Sequence, residues 1–267
     1  TCSVSFTSSP ADCRGLEITK SRLLKLRLTQ PQRREYRYWL DTSRFTFNWT
    51  IAFLKTCINW NPNWMEVKKY ATQLLPEWTK KCPFQVKGMA IKDAVNAFYK
   101  AKGNPKFRSR HELKQSCFIP ATAIKKDALY PQVAGRGLRY SQELPDKLHD
   151  SRLVWNAGKW FLALPQQILR VPSGENQARV VAIDPGVRTF VTFYSTDRCG
   201  HIGEGDFSRI QRLACHLDDL LSRMSQAGKQ RKRRMKMAAA RMHEQVKNLI
   251  DELHHQTALF LVRNFDC

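Results

Sequence analysis

The stretch RVVAIDPGVRTFVTFYS, residues Arg179 to Ser195, places one carboxylate, Asp184, between two apolar runs that are rich in β-branched residues. Two such runs separated by a Pro-Gly turn are typical of antiparallel strands. A carboxylate at the end of a buried strand is a candidate ligand for Mg²⁺, which prefers oxygen atoms. Alternatively, Asp184 only opens the turn, because Asp and Pro are favoured turn residues. This stretch alone leaves both interpretations open.

The chain is strongly basic. Its 267 residues include 45 Lys and Arg against 23 Asp and Glu, which gives a formal net charge of +22. Such an excess attracts polyanions through counterion release, so nucleic acid is the first candidate partner. A basic ribosomal or membrane-surface protein would show the same balance. The hydrophobic content of 42% excludes a mainly disordered chain.

Cysteine usage and hydropathy indicate an intracellular protein. The eight cysteines include no C-x-x-C pair, which argues against a zinc ribbon or a compact disulfide framework. No run of 18 apolar residues predicts a membrane span, and the first residues lack the pattern of a signal peptide. Bacterial cytoplasm and eukaryotic nucleus are both compatible with this composition. Because the sequence begins at Thr and stops after an apolar run, we expect a fragment or a trimmed chain.

The first part of the chain has the pattern of a β-domain that is interrupted by helices. Leu24, Leu26 and Leu28 alternate with polar residues, which predicts a half-buried strand. From Pro31 to about Gly103 the pattern is helical, with breaks that suggest several short helices. The segment SRLVWNAGKWFLALP then predicts a hairpin with its turn at NAG. The simplest arrangement is a barrel-like β-module that carries a helical insertion.

The helical block contains five of the seven tryptophans, and two interpretations compete for them. They could form a stacking surface for bases. A small helical core is favoured, because buried aromatic side chains dominate small cores. The five residues are Trp39, Trp49, Trp60, Trp64 and Trp78.

A basic segment follows the helical block. Between Lys100 and Lys126 there are eight Lys and Arg and a single acidic residue, Glu112. Such a run is usually only solvated, but with the charge of the whole chain a groove that follows phosphates is an equal candidate. The candidate nucleic-acid contacts here are Lys106, Arg108, Arg110, Lys114, Lys125 and Lys126.

The last part of the chain begins a separate domain after the polar linker VPSGENQ. The two strands around Asp184 are followed by a weaker strand candidate at CGHIG. An amphipathic helix starts near Asp206, which with Ser208 offers an N-cap, and apolar residues then recur at three-four spacing up to Met224. A second helix carries an apolar stripe that ends at Leu253. We expect a long helical hairpin.

The junction of these two helices is the most basic point of the sequence. The run AGKQRKRRMK places six Lys and Arg within eight residues. A basic tip on a helical hairpin is a candidate surface for nucleic acid, and such a cluster could also serve as a nuclear signal. The candidates are Lys229, Arg231, Lys232, Arg233, Arg234 and Lys236.

In combination these motifs resemble the OrfB/TnpB family of transposon-encoded RNA-guided DNA endonucleases, whose relatives are Fanzor proteins and compact type V CRISPR effectors. The resemblance rests on the order of GNPKFRSRHELKQSCFIP, GKWFLALP, VVAIDPGVRTFVTFYS and the basic hairpin. It implies an α+β, multidomain fold that ends in a partial RNase H-like (RuvC) domain. Residues 1–30 and 104–172 would form a β-barrel wedge domain, 31–103 a helical recognition insertion, and 178–267 the first part of the RuvC domain, with its hairpin at 206–264.

The resemblance also implies roles for residues and partners. Asp184 would be the first RuvC carboxylate and would bind Mg²⁺, while the basic residues would hold guide RNA and target DNA through the backbone. In this family the second and third carboxylates and the zinc-binding cysteine pairs lie farther toward the C-terminus, so the Zn²⁺ site is not present in this chain. Glu204, Asp206 and Asp266 do not match the missing ligands. The chain alone is therefore not expected to cut DNA.

Three hypotheses follow. The chain belongs to a complete RNA-guided nuclease, or it is a truncated, cleavage-dead module that binds RNA or blocks DNA as a repressor, or it is a transposon remnant. The intact apolar stripes and turns argue against long unselected decay.

Overall fold

The fold is given by a computed structural model, which describes residues 16–56, 63–170 and 179–266. These residues form two compact units, residues 16–170 and residues 179–266. The leader and the linker VPSGENQ lie outside the described residues. The helices are α1 (Gln30–Thr56), α2 (Trp64–Leu74), α3 (Phe84–Lys100), α4 (Pro131–Ala134), α5 (Asp206–Ser225) and α6 (Lys229–Asn264). The strands are β1 (Leu16–Arg27), β2 (Lys114–Ile119), β3 (Ile124–Lys125), β4 (Ala128–Leu129), β5 (Arg139–Tyr140), β6 (Ser151–Asn156), β7 (Lys159–Arg170), β8 (Val181–Pro185), β9 (Val191–Ser195) and β10 (Cys199–Ile202).

The first unit is built on a five-stranded antiparallel sheet with the order β2-β6-β7-β1-β5. Strand β1 precedes the helices α1 to α3, and its main partner β7 follows them. The helical block therefore interrupts the β-module, as the sequence predicts. Along β1, Leu24, Leu26 and Leu28 are buried while Lys25 and Arg27 are exposed, which confirms the alternation of a half-buried strand.

The hairpin of β6 and β7 is also confirmed. Its two turn residues, Ala157 and Gly158, have φ angles of 45° and 94°. Two successive residues with positive φ match the twist of antiparallel strands, and this is why a turn with Gly at its second position is favoured here. The turn places Trp155 directly opposite Trp160 in the register.

The expected closure of the sheet into a barrel is not found among the described residues. Strand β5 pairs with β1 through only two residues, and β2 pairs with β6 alone, so both remain edge strands. Period-two alternation shows that one face of a strand is buried, and both an open and a closed sheet satisfy it. The coarser prediction of a mixed fold with antiparallel sheets and helices is confirmed.

The helical block contains three α-helices, α1, α2 and α3, which are separated near the predicted breaks, and only α1 is longer than the short helices that were predicted. Helix α1 runs for 27 residues and packs along α3. Its start resembles a capping box, because the Gln32 side chain accepts a hydrogen bond from the Thr29 N–H at 3.1 Å. Buried small polar residues, among them Thr46 and Thr50, line α1, and the Thr50 hydroxyl donates to the Thr46 carbonyl at 2.8 Å.

Most of the predicted tryptophan core is present. Trp39 is fully buried, while Trp49 and Trp64 pack against a cluster that includes Leu54 and Val67. Trp60 lies outside the described residues, and Trp78 keeps 47% of its surface exposed. The core interpretation therefore holds for Trp39, Trp49 and Trp64. It does not hold for Trp78, whose side chain is exposed.

The second unit consists of a three-stranded antiparallel sheet, in the order β10-β9-β8, and the hairpin of α5 and α6. Its core joins one face of the sheet to the end of α6, where Val191 and Phe193 pack against Phe260 and Phe265. The helix boundaries confirm the predicted hairpin. The predicted N-cap is wrong, because Gly205, with a φ of 81°, occupies the cap position and Asp206 is the first helical residue.

Among the helices of residues 16–56, 63–170 and 179–266, none combines the length and the hydropathy that a membrane span requires.

Candidate functional site

Asp184 lies within strand β8 and not in the chain reversal. It is directly opposite Thr192 of β9, and pairing continues beyond it at Pro185 and Val191. The Gly186 N–H still donates to the Phe190 carbonyl at 3.2 Å. A Cβ at Gly186 would stand 2.7 Å from the Thr189 carbonyl oxygen, so glycine is required for this close approach. Because the reversal falls after Gly186, opening the turn does not account for a carboxylate at position 184.

The Asp184 side chain is on the open face of the sheet. The opposite face carries Val191 and Phe193, which are buried against α6. Since side chains alternate along a strand, Thr192 and its partners Asp184 and His201 form a row across β8, β9 and β10 on the other face. The Thr192 Oγ1 and His201 Nδ1 atoms are 3.2 Å apart. Sequence reasoning missed His201, because its pairing with Thr192 depends on the strand register.

In the described part of the chain, Asp184 does not belong to a cluster of side chains that could hold a metal ion. No group of three or more His, Cys, Asp or Glu side chains that could hold a metal ion occurs there. A single carboxylate such as Asp184 offers one ligand of the oxygen type that Mg²⁺ takes, whereas a two-metal site requires several, and a metal-binding role of Asp184 stays a prediction.

The three other acidic residues considered from the sequence have different surroundings. Glu204 is exposed in the turn before α5, and Asp206 begins that helix. Asp266 forms an ion pair with Arg179, with 3.1 Å between its Oδ2 and the Arg179 Nε. It also accepts a hydrogen bond from the Arg179 N–H, and the Asp266 N–H donates to the Arg179 carbonyl. The side-chain hydrogen bond from the Arg179 guanidinium to the Asp266 carboxylate raises the pKa of Arg179. Asp266 thus anchors residue 179 just before β8.

The hairpin tip is the site where the predicted basic residues are brought together. We define the hairpin tip as Lys229, Arg231, Lys232, Arg233, Arg234 and Lys236, all of which are exposed on the first two turns of α6. Residues 229, 232, 233 and 236 share one helical face by their spacing. Met235, between them, is half-buried. The tip therefore presents its charges outward while α6 keeps its apolar stripe inward.

The charge of the hairpin tip opposes the helix dipole. A helix N-terminus carries a partial positive charge and favours acidic side chains. The first turn of α6 contains no acidic residue and begins with Lys229. An anion bound at this end would relieve both the repulsion among the side chains and the unfavourable interaction with the dipole.

The basic segment of the first unit is distributed over several elements. Lys106 and Arg110 are exposed in the loop before β2, and Lys114 is the exposed first residue of β2. Lys125 and Lys126 are exposed in the small hairpin of β3 and β4. Unlike the hairpin tip, these residues do not share one helix or one strand, and their role in binding stays a prediction.

Arg108 differs from the rest of this segment, because it has partners within the protein. Its guanidinium lies 3.7 Å from the Phe47 ring centre and 3.7 Å from the Asp93 carboxylate. Its backbone N–H and carbonyl both bond to the Asn48 side chain, at 2.8 and 2.9 Å. Burial lowers the pKa of Arg108, and Asp93 opposes that shift. Arg108 therefore holds the loop before β2 against α1 and α3 through these contacts.

Comparison with curated proteins found a relative that bears the name "Putative transposase", from Acanthamoeba polyphaga mimivirus. It is 26% identical to this chain over 199 residues, a match that covers 69% of this chain and 39% of the relative. The chain thus spans well under two thirds of the length of that relative. No model of a known protein family matches the chain. The similarity supports a distant relationship to a transposase-like protein.

Proposed function

We propose that the chain is the nucleic-acid-binding portion of a transposon-encoded, RNA-guided DNA nuclease of the OrfB/TnpB type. The observation that carries the proposal is in the second unit. There, strand β8 of a three-stranded antiparallel sheet carries Asp184, and a helical hairpin with six exposed basic residues follows the sheet. The similarity to a transposase supports the same direction. We expect an intracellular protein whose partners are guide RNA and target DNA.

The hairpin tip would contribute most of the affinity. Its six charges face outward, and each phosphate that they neutralise releases counterions. Such contacts recognise backbone shape and carry no base information, so sequence recognition would be left to pairing between guide and target. The predicted basic residues of the first unit, Arg108 excepted, would add further phosphate contacts.

Asp184 would have a separate role in the complete nuclease. Its exposed carboxylate would hold Mg²⁺ as one ligand of a larger set. When bound, the ion would activate water and offset charge on the phosphodiester. The open face around Asp184 and Thr192 leaves room for a nucleic-acid backbone to approach.

The test uses the full-length protein with its own transcript as RNA and a DNA duplex that matches the guide. Asp184→Ala should abolish Mg²⁺-dependent cleavage, with a loss of at least about 10²-fold. RNA affinity should not change, because Asp184 is not part of the hairpin tip, which would contribute most of the RNA affinity. Asp184→Asn is the matched variant, since it keeps the size and removes the charge. Cleavage that survives both substitutions would refute the metal-ligand role.

A second candidate is a cleavage-dead module that binds RNA or occludes DNA. It needs only the exposed hairpin tip, and the absence of a metal-ligating cluster from the described residues fits it as well as it fits a nuclease whose other ligands lie elsewhere. Under this alternative, RNA binding persists, no cleavage is detected with Mg²⁺ in the full-length protein, and Asp184→Ala changes nothing. A transcript that continues beyond the Cys267 codon with further acidic and paired cysteine codons would favour the nuclease.

A further inference from the structure

A second basic surface lies in the first unit, on a groove that the sequence did not single out. The groove, which we call the arginine groove, has a volume of about 710 Å³. It is lined by the first turns of α1, by the turn that carries Trp78 and by the tip of the β6–β7 hairpin. All of these elements belong to the same unit.

Trp78 provides a fixed aromatic platform in this groove. The residue is 47% exposed, although tryptophan is usually well covered. The Tyr38 hydroxyl donates to the Trp78 carbonyl at 2.6 Å, and the Phe45 ring packs against the indole with 5.0 Å between ring centres. An exposed ring whose orientation is held from behind can stack on a planar ligand with little loss of conformational entropy.

Arginines from two consecutive turns of α1 line the same groove. Arg37 is held in place, because its guanidinium stacks on Trp155 at 4.0 Å. In the described part of the chain, Arg33 and Arg34 form no ion pair, and both are exposed. The single acidic residue of the lining, Asp41, is paired with Arg44 at 3.0 Å. The groove therefore keeps an uncompensated positive charge beside the aromatic platform.

The positive surface continues onto the sheet. An adjoining groove of about 380 Å³ shares Arg33, Gly158 and Trp160 with the arginine groove and adds Lys25 and Arg27. Both of these residues are on the exposed face of β1. Together the two grooves form a continuous basic path with the indole of Trp78 at one side.

We propose that the arginine groove binds an unpaired segment of a nucleic-acid strand. A base would stack on Trp78, while Arg33 and Arg34 would contact its phosphates and Lys25 and Arg27 would hold the neighbouring nucleotides. An aromatic platform beside a basic path is the arrangement that recognises single strands, because bases in a duplex are already stacked on each other. The inference rests on the nucleic-acid binding in the proposed function, but it concerns a different surface from the hairpin tip.

The test measures binding of a labelled single-stranded RNA of about 12 nucleotides, and of the same strand in a duplex, by fluorescence anisotropy. Trp78→Ala should weaken the single strand by about 10-fold or more, and Trp78→Phe should restore most of the affinity. The slope of log K against log salt concentration is about −0.7 for each phosphate contact with a single strand. The double substitution Arg33→Gln and Arg34→Gln should therefore reduce the magnitude of this slope by about 1.4. Duplex binding should change much less.

The matched control is Arg209→Gln with Arg212→Gln, which removes the same charge from the outward face of α5. If the groove variants behave like this control while hairpin-tip variants lose binding, the arginine groove is not a binding site and the proposed function stands. If no variant matters because the protein binds no nucleic acid, both proposals fail. Crosslinks from 4-thiouridine RNA to the Trp78 peptide would support the groove, and crosslinks confined to other peptides would refute it.

Discussion

The hairpin tip and the surroundings of Arg108 use the same residue types in opposite ways. At the tip, six Lys and Arg are exposed at a helix end whose dipole disfavours them. At Arg108, one guanidinium stacks on Phe47 and shares Asp93 with Arg152, whose Nη2 atom lies 2.9 Å from that carboxylate. The first arrangement is available to a polyanion, and the second fastens a loop. A basic residue therefore indicates nucleic-acid binding only where the fold leaves its charge without a partner.

The largest effect should come from removing the charge of the hairpin tip. Replacing all six residues by Gln should lower RNA affinity by about 10³-fold at moderate salt and reduce the salt slope by about 4. Thermal stability should not fall, because the tip opposes the helix dipole. Anisotropy titrations at several salt concentrations measure this. The control removes six exposed charges elsewhere, at Lys20, Lys69, Lys147, Arg209, Arg212 and Lys247. An equal loss in the control would mean that total charge, and not the tip, sets the affinity.

The next effect concerns Asp93, which holds two arginines in the first unit. Asp93→Ala should lower the free energy of unfolding by about 2 to 3 kcal/mol, because Arg108 and Arg152 would lose their shared anion in a partly buried site. Urea denaturation measures the change. The matched control is Asp219→Ala, which breaks an ion pair of 3.1 Å with Arg223 on the exposed surface of α5. That variant should stay within about 0.5 kcal/mol of the parent. If Asp93→Ala and Asp219→Ala lowered the free energy of unfolding equally, the partly buried ion pairs of Asp93 would be no more important for stability than an exposed one.

The smallest effect separates two arginines of one loop. Arg108→Lys keeps the charge but removes the planar stack on Phe47, so it should cost about 1 kcal/mol of stability. Arg110→Lys should be neutral, since that side chain is exposed. Unfolding midpoints compare the two variants directly. If Arg110→Lys were the more destabilising, the conclusion that Arg108 holds this loop in place would be wrong.

The sequence predicted those parts of the fold that depend on local periodicity. Alternating leucines identified β1, the NAG turn identified the β6–β7 hairpin, and three-four spacing identified α5 and α6. These patterns work because strand and helix geometry decide locally which side chains share a face. The start of α5 was misplaced, because Asp206 looks like a cap in sequence while the backbone of Gly205 occupies that position.

The sequence by itself thus determined β1, the β6–β7 hairpin, the two helices α5 and α6, the basic character of the hairpin tip and the strand that carries Asp184. Only the tertiary structure decided that the sheet of the first unit stays open, that Arg108 contacts Phe47 and Asp93 within the protein, and that Trp78 lines a groove with several arginines. Asn48 and Arg108 are 60 positions apart, and Trp78 and Trp155 lie even farther apart along the chain. Local patterns specify which residues are buried, whereas contacts between distant segments decide which charges remain available for a partner.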